Sequence, residues 1–189
     1  MKELYLVRHA KTAFPTEDKY CAGGRTDWSI GDEGRKQCLD MAGKLLPGLK
    51  KGSGYEVWSS PLLRARQTAE YLLSEGMELR TEEKFREMDA GEWDGLSFTE
   101  IKERYPEQFE GRMKTPGMEL IPGAEKDEDG LMRFREGIEK ILAASAHNTV
   151  VIVSHGTVIQ LYLCFLAGRP LTESRSFRPD YADYVRVEL

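Results

Sequence analysis

The order of elements along the chain predicts an α/β fold, a three-layer α/β/α sandwich around a mostly parallel central sheet. Three observations carry this expectation. Short apolar runs alternate with longer amphipathic stretches. The amphipathic stretches place their apolar residues at steps of three and four, the helical period. The run Thr149–Val153 is apolar and rich in β-branched residues, as suits a strand buried on both faces of a parallel sheet.

The elements follow in order. Glu3–Val7 is a short apolar strand. Within Gly31–Leu49, the residues Cys38, Met41, Ala42, Leu45, Leu46 and Leu49 share one helical face, with Asp32 as the expected cap and Pro47-Gly48 as the expected stop. Tyr55–Trp58 is a second strand. Ser60 and Pro61 are the expected cap and first turn of a helix whose apolar face is Leu62, Ala65, Ala69, Leu72 and Leu73. Met77–Arg80 is a candidate short strand. Residues 88–126 are punctuated by glycine and proline, with one short helix expected at Phe98–Tyr105. That stretch has too few apolar residues for a core of its own. Residues 1–189 are therefore read as one domain carrying a lid-like excursion. Leu131, Phe134, Ile138, Ile141 and Leu142 mark a further helix. Thr149–Val153 is the central strand, Gly156–Ala167 the next helix and Tyr184–Leu189 a final strand.

Composition narrows the function classes. A chain of 189 residues with 31% charged residues and a mean hydropathy of −0.51 suits one soluble globular domain. The net charge of −5 argues against a general nucleic-acid binder, although a locally basic pocket is compatible with it. No apolar run reaches the roughly 18 residues of a membrane span. Cys21, Cys38 and Cys164 fit neither a disulfide framework nor a CxxC metal site, which points to a reducing cytoplasm.

Two segments share a form that locates the chemistry. An apolar strand runs into Arg8-His9, and another into Ser154-His155-Gly156. Open parallel sheets bind ligands beyond the carboxyl ends of their strands. His147 precedes a strand instead and receives no role. Arg64, near the start of the helix after Tyr55–Trp58, falls beside a third strand end, whereas Arg66 belongs to a solvated helix face. Gly156 lets backbone N–H groups approach a ligand at a helix start. Two arginines and two histidines converging there make a pocket for a tetrahedral dianion. Metal binding is disfavoured, because no HExxH or CxxC occurs and the arginines would repel a cation. No nucleotide-binding glycine loop and no GxSxG elbow is present. A phosphoryl-transfer site also needs a proton donor. Glu87, Asp89 and Glu92 are the candidates, and spacing does not choose among them.

The segments LYLVRHAKT, GRTDWSIGDEG, SSPLLRARQTAEYL, REMDAGEWDGLSFTEI and VIVSHG resemble, in order and over most of residues 3–160, the histidine phosphatase superfamily, in its phosphoglycerate-mutase-like branch. The resemblance implies a metal-free site in which His9 is phosphorylated, Arg8, Arg64 and His155 hold the phosphate, and Glu87 donates the proton. It adds Gly24, from the stretch Gly24–Asp27, and Gly156 and Thr157 as substrate-binding positions. The chain departs from the family pattern at Ala10, where glycine is usual, at Pro15, where asparagine is frequent, and at Lys126, where serine is common. The Pro15 departure removes an amide donor that Lys11 or a backbone N–H would replace.

The expected function is hydrolysis of a small-molecule phosphate monoester without cofactor, through a phosphohistidine. By its motifs and length the chain is nearest in look to the alpha-ribazole phosphatases and related broad phosphatases. The alternatives are a phosphoglycerate-mutase-type transferase and a non-catalytic phospho-ligand-binding protein. No nucleic acid or membrane partner is expected. Trp28, Trp93 and Phe98 are candidates to touch a ring-bearing leaving group or to pack a lid.

Overall fold

A computed structural model describes residues 2–52, 54–115 and 117–188. Five strands form one sheet: β1 (Glu3–Arg8), β2 (Tyr55–Ser59), β3 (Arg80–Thr81), β4 (Thr149–Ser154) and β5 (Tyr184–Glu188). Their order is β3-β2-β4-β1-β5, parallel except for β5, which runs antiparallel to β1. The α/β sandwich around a mostly parallel sheet is thus the fold observed.

Alternation along the strands builds two cores. Leu4, Leu6, Val150 and Ile152 face α5 (Asp127–Ala144), α6 (Gly156–Leu166) and part of the excursion. Val7, Val57, Val151 and Val153 face α1 (Asp32–Leu49) and α2 (Leu63–Glu70). Val150–Val153 are fully buried, which accounts for the unbroken apolar run.

Several boundaries differ from expectation. Gly31, not Asp32, caps α1, and the helix passes through Pro47 to Leu49. Proline there lacks only one N–H in the last turn, and no interior turns are lost. Ser60 does not cap α2. The helix starts at Leu63, whose N–H is taken by Asp27 Oδ1 at 2.5 Å, and it ends at Glu70, so Leu72 and Leu73 lie past it. The strand expected at Met77–Arg80 shrinks to Arg80–Thr81.

The excursion carries α3 (Phe98–Arg104), closed at its start by a Ser97–Glu100 capping box. It also carries a helix the sequence reading omits, α4 (Pro106–Lys114), which has no buried residue and so no apolar stripe to reveal it. A 3-10 turn at Leu171–Phe177 packs on α6. No helix among the described residues is long and apolar enough to cross a membrane.

Candidate active site

Strand register sets the site. β1 and β4 pair with Arg8 opposite Ser154. The next residue on each strand is therefore a histidine at the same level, and the His9 and His155 rings lie 5.1 Å apart, centroid to centroid. On the other side of β4, β2 brings Ser60, whose hydroxyl lies 2.7 Å from His155 Nε2.

His9 Nδ1 is 2.7 Å from the Ala10 carbonyl. A carbonyl only accepts, so Nδ1 carries the proton and the free lone pair is on Nε2. Burial, then the charges of Arg64, Arg8 and Arg178, holds His9 well below the usual histidine pKa. His155 is depressed in the same direction by burial and by Arg64. Both rings are thus held toward the neutral form.

Arg64 is fully buried, and its guanidinium donates to the carbonyls of Thr26, Ala22 and Gly23 rather than to a carboxylate. Burial lowers its pKa. Arg8 donates to the Pro179 carbonyl at 2.9 Å and stacks 3.7 Å from the centre of the Tyr181 ring. Arg66 is exposed, as expected.

Three buried polar atoms here have no protein partner: Arg8 Nε, Arg64 Nε and His155 Nδ1. Buried donors are normally satisfied, and leaving one unpaired costs roughly 1–3 kcal/mol. Among the described residues, the two guanidinium N–H donors, with His155 Nδ1, lie near the facing imidazoles with no protein partner, and an acceptor-rich anion would satisfy the two N–H groups.

The carboxylates now separate. Glu87 is buried and accepts from the N–H groups of Met88, Thr157 and Val158 at 3.0, 3.1 and 3.3 Å. It sits at the N-terminus of α6. Asp89 pairs with Arg25 at 3.1 Å, and Glu92 accepts from the Tyr105 hydroxyl at the surface. Only Glu87 of the three lines a cavity of about 330 Å³, which borders the strand-end site through Glu87, Thr157 and Arg178 and is lined by neither histidine.

Thr157, Trp93 and Phe98 line that cavity, and Trp28 instead packs edge-on against Phe14 and Tyr20. Gly24 does not line it. Its N–H donates to Met88 O, and a Cβ there would meet Glu87 O at 2.7 Å, so the glycine permits close backbone packing behind Glu87. At Gly156 a Cβ would meet Arg178 Nε at 2.6 Å. Lys11 bonds Glu33 at 2.5 Å and does not replace the missing amide. Lys126 stands at the N-cap of α5 and makes no side-chain cap. His147 lies beside Gly54 at the opposite end of the sheet, before β4. Among the described residues no three His, Cys, Asp or Glu side chains could hold a metal.

Sequence reasoning missed three contributors. Arg178 and Tyr181 come from the segment after α6, which folds back over the β1 end. There Ala182, at φ 52°, donates its N–H to the Arg8 and His9 carbonyls. Asp94 accepts from Gly23 N–H, Arg25 N–H and the Thr26 hydroxyl, fastening the loop whose carbonyls hold Arg64. The Asp94-Gly95 pair, inside the segment REMDAGEWDGLSFTEI, was the available signal.

The model of the histidine phosphatase superfamily (branch 1) matches residues 4–189. The chain belongs to that superfamily. It is 31% identical over 190 residues to phosphoserine phosphatase 1 of Hydrogenobacter thermophilus, covering 100% of this chain and 87% of that one. Among solved structures it superposes on Bacillus stearothermophilus YhfR with a TM-score of 0.84 at 25% identity, over 100% and 92% of the two chains. It also matches the alpha-ribazole phosphatase from Shigella flexneri at a TM-score of 0.81 and 23% identity, over 99% and 90%, a likeness of fold.

Proposed function

We propose that this histidine-phosphatase chain hydrolyses a small-molecule phosphate monoester through a phosphohistidine on His9. The observation that carries the reading is the set of buried, partnerless donors around the facing imidazoles. A phosphoryl group supplies the acceptors they lack, and its negative charge offsets the buried arginines.

In this mechanism Arg8, Arg64 and His155 hold the non-bridging oxygens. His9 Nε2 attacks phosphorus as the ester P–O bond breaks, and the leaving oxygen takes a proton from the Glu87 carboxyl. Water then attacks the phosphohistidine and gives its proton to Glu87, and the N–P bond breaks. The Ala10 carbonyl keeps the His9 proton on Nδ1 throughout. The free cysteines Cys21, Cys38 and Cys164 suit a reducing cytoplasm as the place of action.

The names of the relatives point to two kinds of leaving group, serine with its carboxylate and alpha-ribazole. Trp93 and Phe98 in the cavity wall would suit the latter. The test is hydrolysis of p-nitrophenyl phosphate with and without EDTA. We expect turnover that EDTA leaves intact and that His9→Gln lowers by at least about three orders of magnitude. Near-normal turnover by His9→Gln, or loss of activity to EDTA alone, would contradict the reading.

A further inference from the structure

The cavity that borders the strand-end site through Glu87 and Thr157 carries positive charge of its own, apart from Arg8 and Arg64. Its lining includes Arg112 from α4, Arg175 from the turn after α6, and Arg178 beyond it, against a single acid, Glu87. Glu87 is already engaged by three backbone N–H groups. Among the described residues none of the three arginines makes a salt bridge, whereas Arg80, Arg133 and Arg169 elsewhere on the chain each do. Arg175 spends its guanidinium on the Arg112 and Met113 carbonyls, which ties the end of α4 to the C-terminal segment and holds the two cations together.

Arg112 is half-buried, and burial followed by repulsion from Arg175 lowers its pKa. Asp127 is the nearest balancing acid, yet its own burial and Glu119 push its pKa up to about 6. Two further lining residues each keep a buried polar atom without a partner, Trp93 Nε1 and Gln160 Oε1. Of these, only the Trp93 Nε1 donor favours an anion, since Gln160 Oε1 is an acceptor; clustered like charges and an unpaired donor are costly unless a ligand completes them.

We propose that this wall is an anion subsite, and that the substrate is a phosphate ester whose leaving group carries a second negative charge, a carboxylate or another phosphate, held by Arg112 and Arg175. This rests on the phosphatase reading and narrows it. Arg178, which packs on Gly156 and acts on the His9 and Arg8 charges, belongs to the first phosphate and spans the two sites. Phe98 and Met118 give the ligand body an apolar wall between the two anions.

The experiment compares kcat/KM within matched pairs at low salt. O-phosphoserine against phosphoethanolamine differs by one carboxylate. A hexose bisphosphate against the corresponding monophosphate differs by one phosphate, so the arms separate the two sources. We expect the more acidic member of at least one pair to be preferred by about tenfold or more, the worth of a charge-assisted hydrogen bond. In Arg112→Gln the preference collapses through KM, and Arg112→Lys restores part of it. Among the described residues the Arg112 side chain makes no hydrogen bond, so its removal should spare the fold, which the melting temperature checks. Equal kcat/KM in both pairs, a preference that survives Arg112→Gln, or faster turnover of alpha-ribazole phosphate than of every acidic ester would overturn the proposal. If none of these esters nor p-nitrophenyl phosphate turns over, the phosphatase reading falls by itself. Calorimetric Kd values for the same pairs then decide the subsite: tighter acidic members that loosen in Arg112→Gln uphold it, and equal values refute it.

Discussion

At the ends of β1 and β4 the side chains are set by strand register, but in the cavity wall they hang from two segments far apart in sequence. The first region places His9 level with His155 because Arg8 pairs with Ser154, and the backbone fixes the rest. The second joins α4 to the turn after α6 through Arg175 and two carbonyls. A buried sheet end tolerates little variation in geometry. A wall carried by an excursion can change without disturbing the chemistry. In the proposed reaction the strand ends hold the phosphate and the wall selects the leaving group.

The comparison breaks most visibly at Arg64. If the strand-end region serves phosphoryl transfer, Arg64→Gln lowers kcat by about a hundredfold or more for every ester, with the order of substrates unchanged. A loss confined to acidic esters would place Arg64 with the wall instead. Initial rates on the matched esters above decide this.

Asp94 sharpens the boundary, because it lies in the excursion yet holds the loop that receives Arg64. Asp94→Ala frees the Gly23 and Arg25 N–H groups and a hydroxyl, and should cost about 1–3 kcal/mol of stability. Activity should fall for all esters alike, by about tenfold, since the guanidinium is misplaced rather than lost. Denaturant unfolding and rate assays together read both effects. Unchanged stability would show the loop to be held by other contacts.

The smallest effects concern pH, and the two regions should respond with opposite sign. His9 and His155 are depressed in the folded chain, so below the ordinary histidine pKa near 6.5 the unfolded chain binds more protons. Their contribution to stability is present above that pH and is lost as pH falls, by up to about 1.4 kcal/mol per unit for each ring. Asp127, raised to about 6, works the other way: its contribution is present in acid and fades as pH rises through that value. Asp127→Asn should therefore raise the melting temperature at pH 8 and leave it unchanged at pH 4. A gain at both would assign the effect to packing.

Much of the first region was legible in the sequence, since apolar strands that end in Arg-His and Ser-His-Gly carry both position and chemistry. Register then did what spacing could not, by burying Glu87 on α6 while Asp89 and Glu92 turned to Arg25 and Tyr105. The wall was largely illegible. The α4 helix has no fully buried residue and, with Phe109 only half-buried on the core, shows no periodic stripe, so Arg112 on it reads as one more surface cation. Arg178 and Tyr181 reach the site only by a return of the chain that no local pattern announces. Asp27, at the end of the Gly24–Asp27 stretch, accepts from the first N–H of α2, a bond between residues 36 apart that local pattern does not show.

The most direct test is to trap the intermediate. Wild-type protein mixed with a labile phosphate donor and quenched in alkali should yield a peptide containing His9 that is heavier by one phosphoryl group, with the group lost on brief acid treatment. His9→Gln should show no such peptide. A phosphoryl group on another residue, or efficient turnover with His9 never modified, would contradict the account.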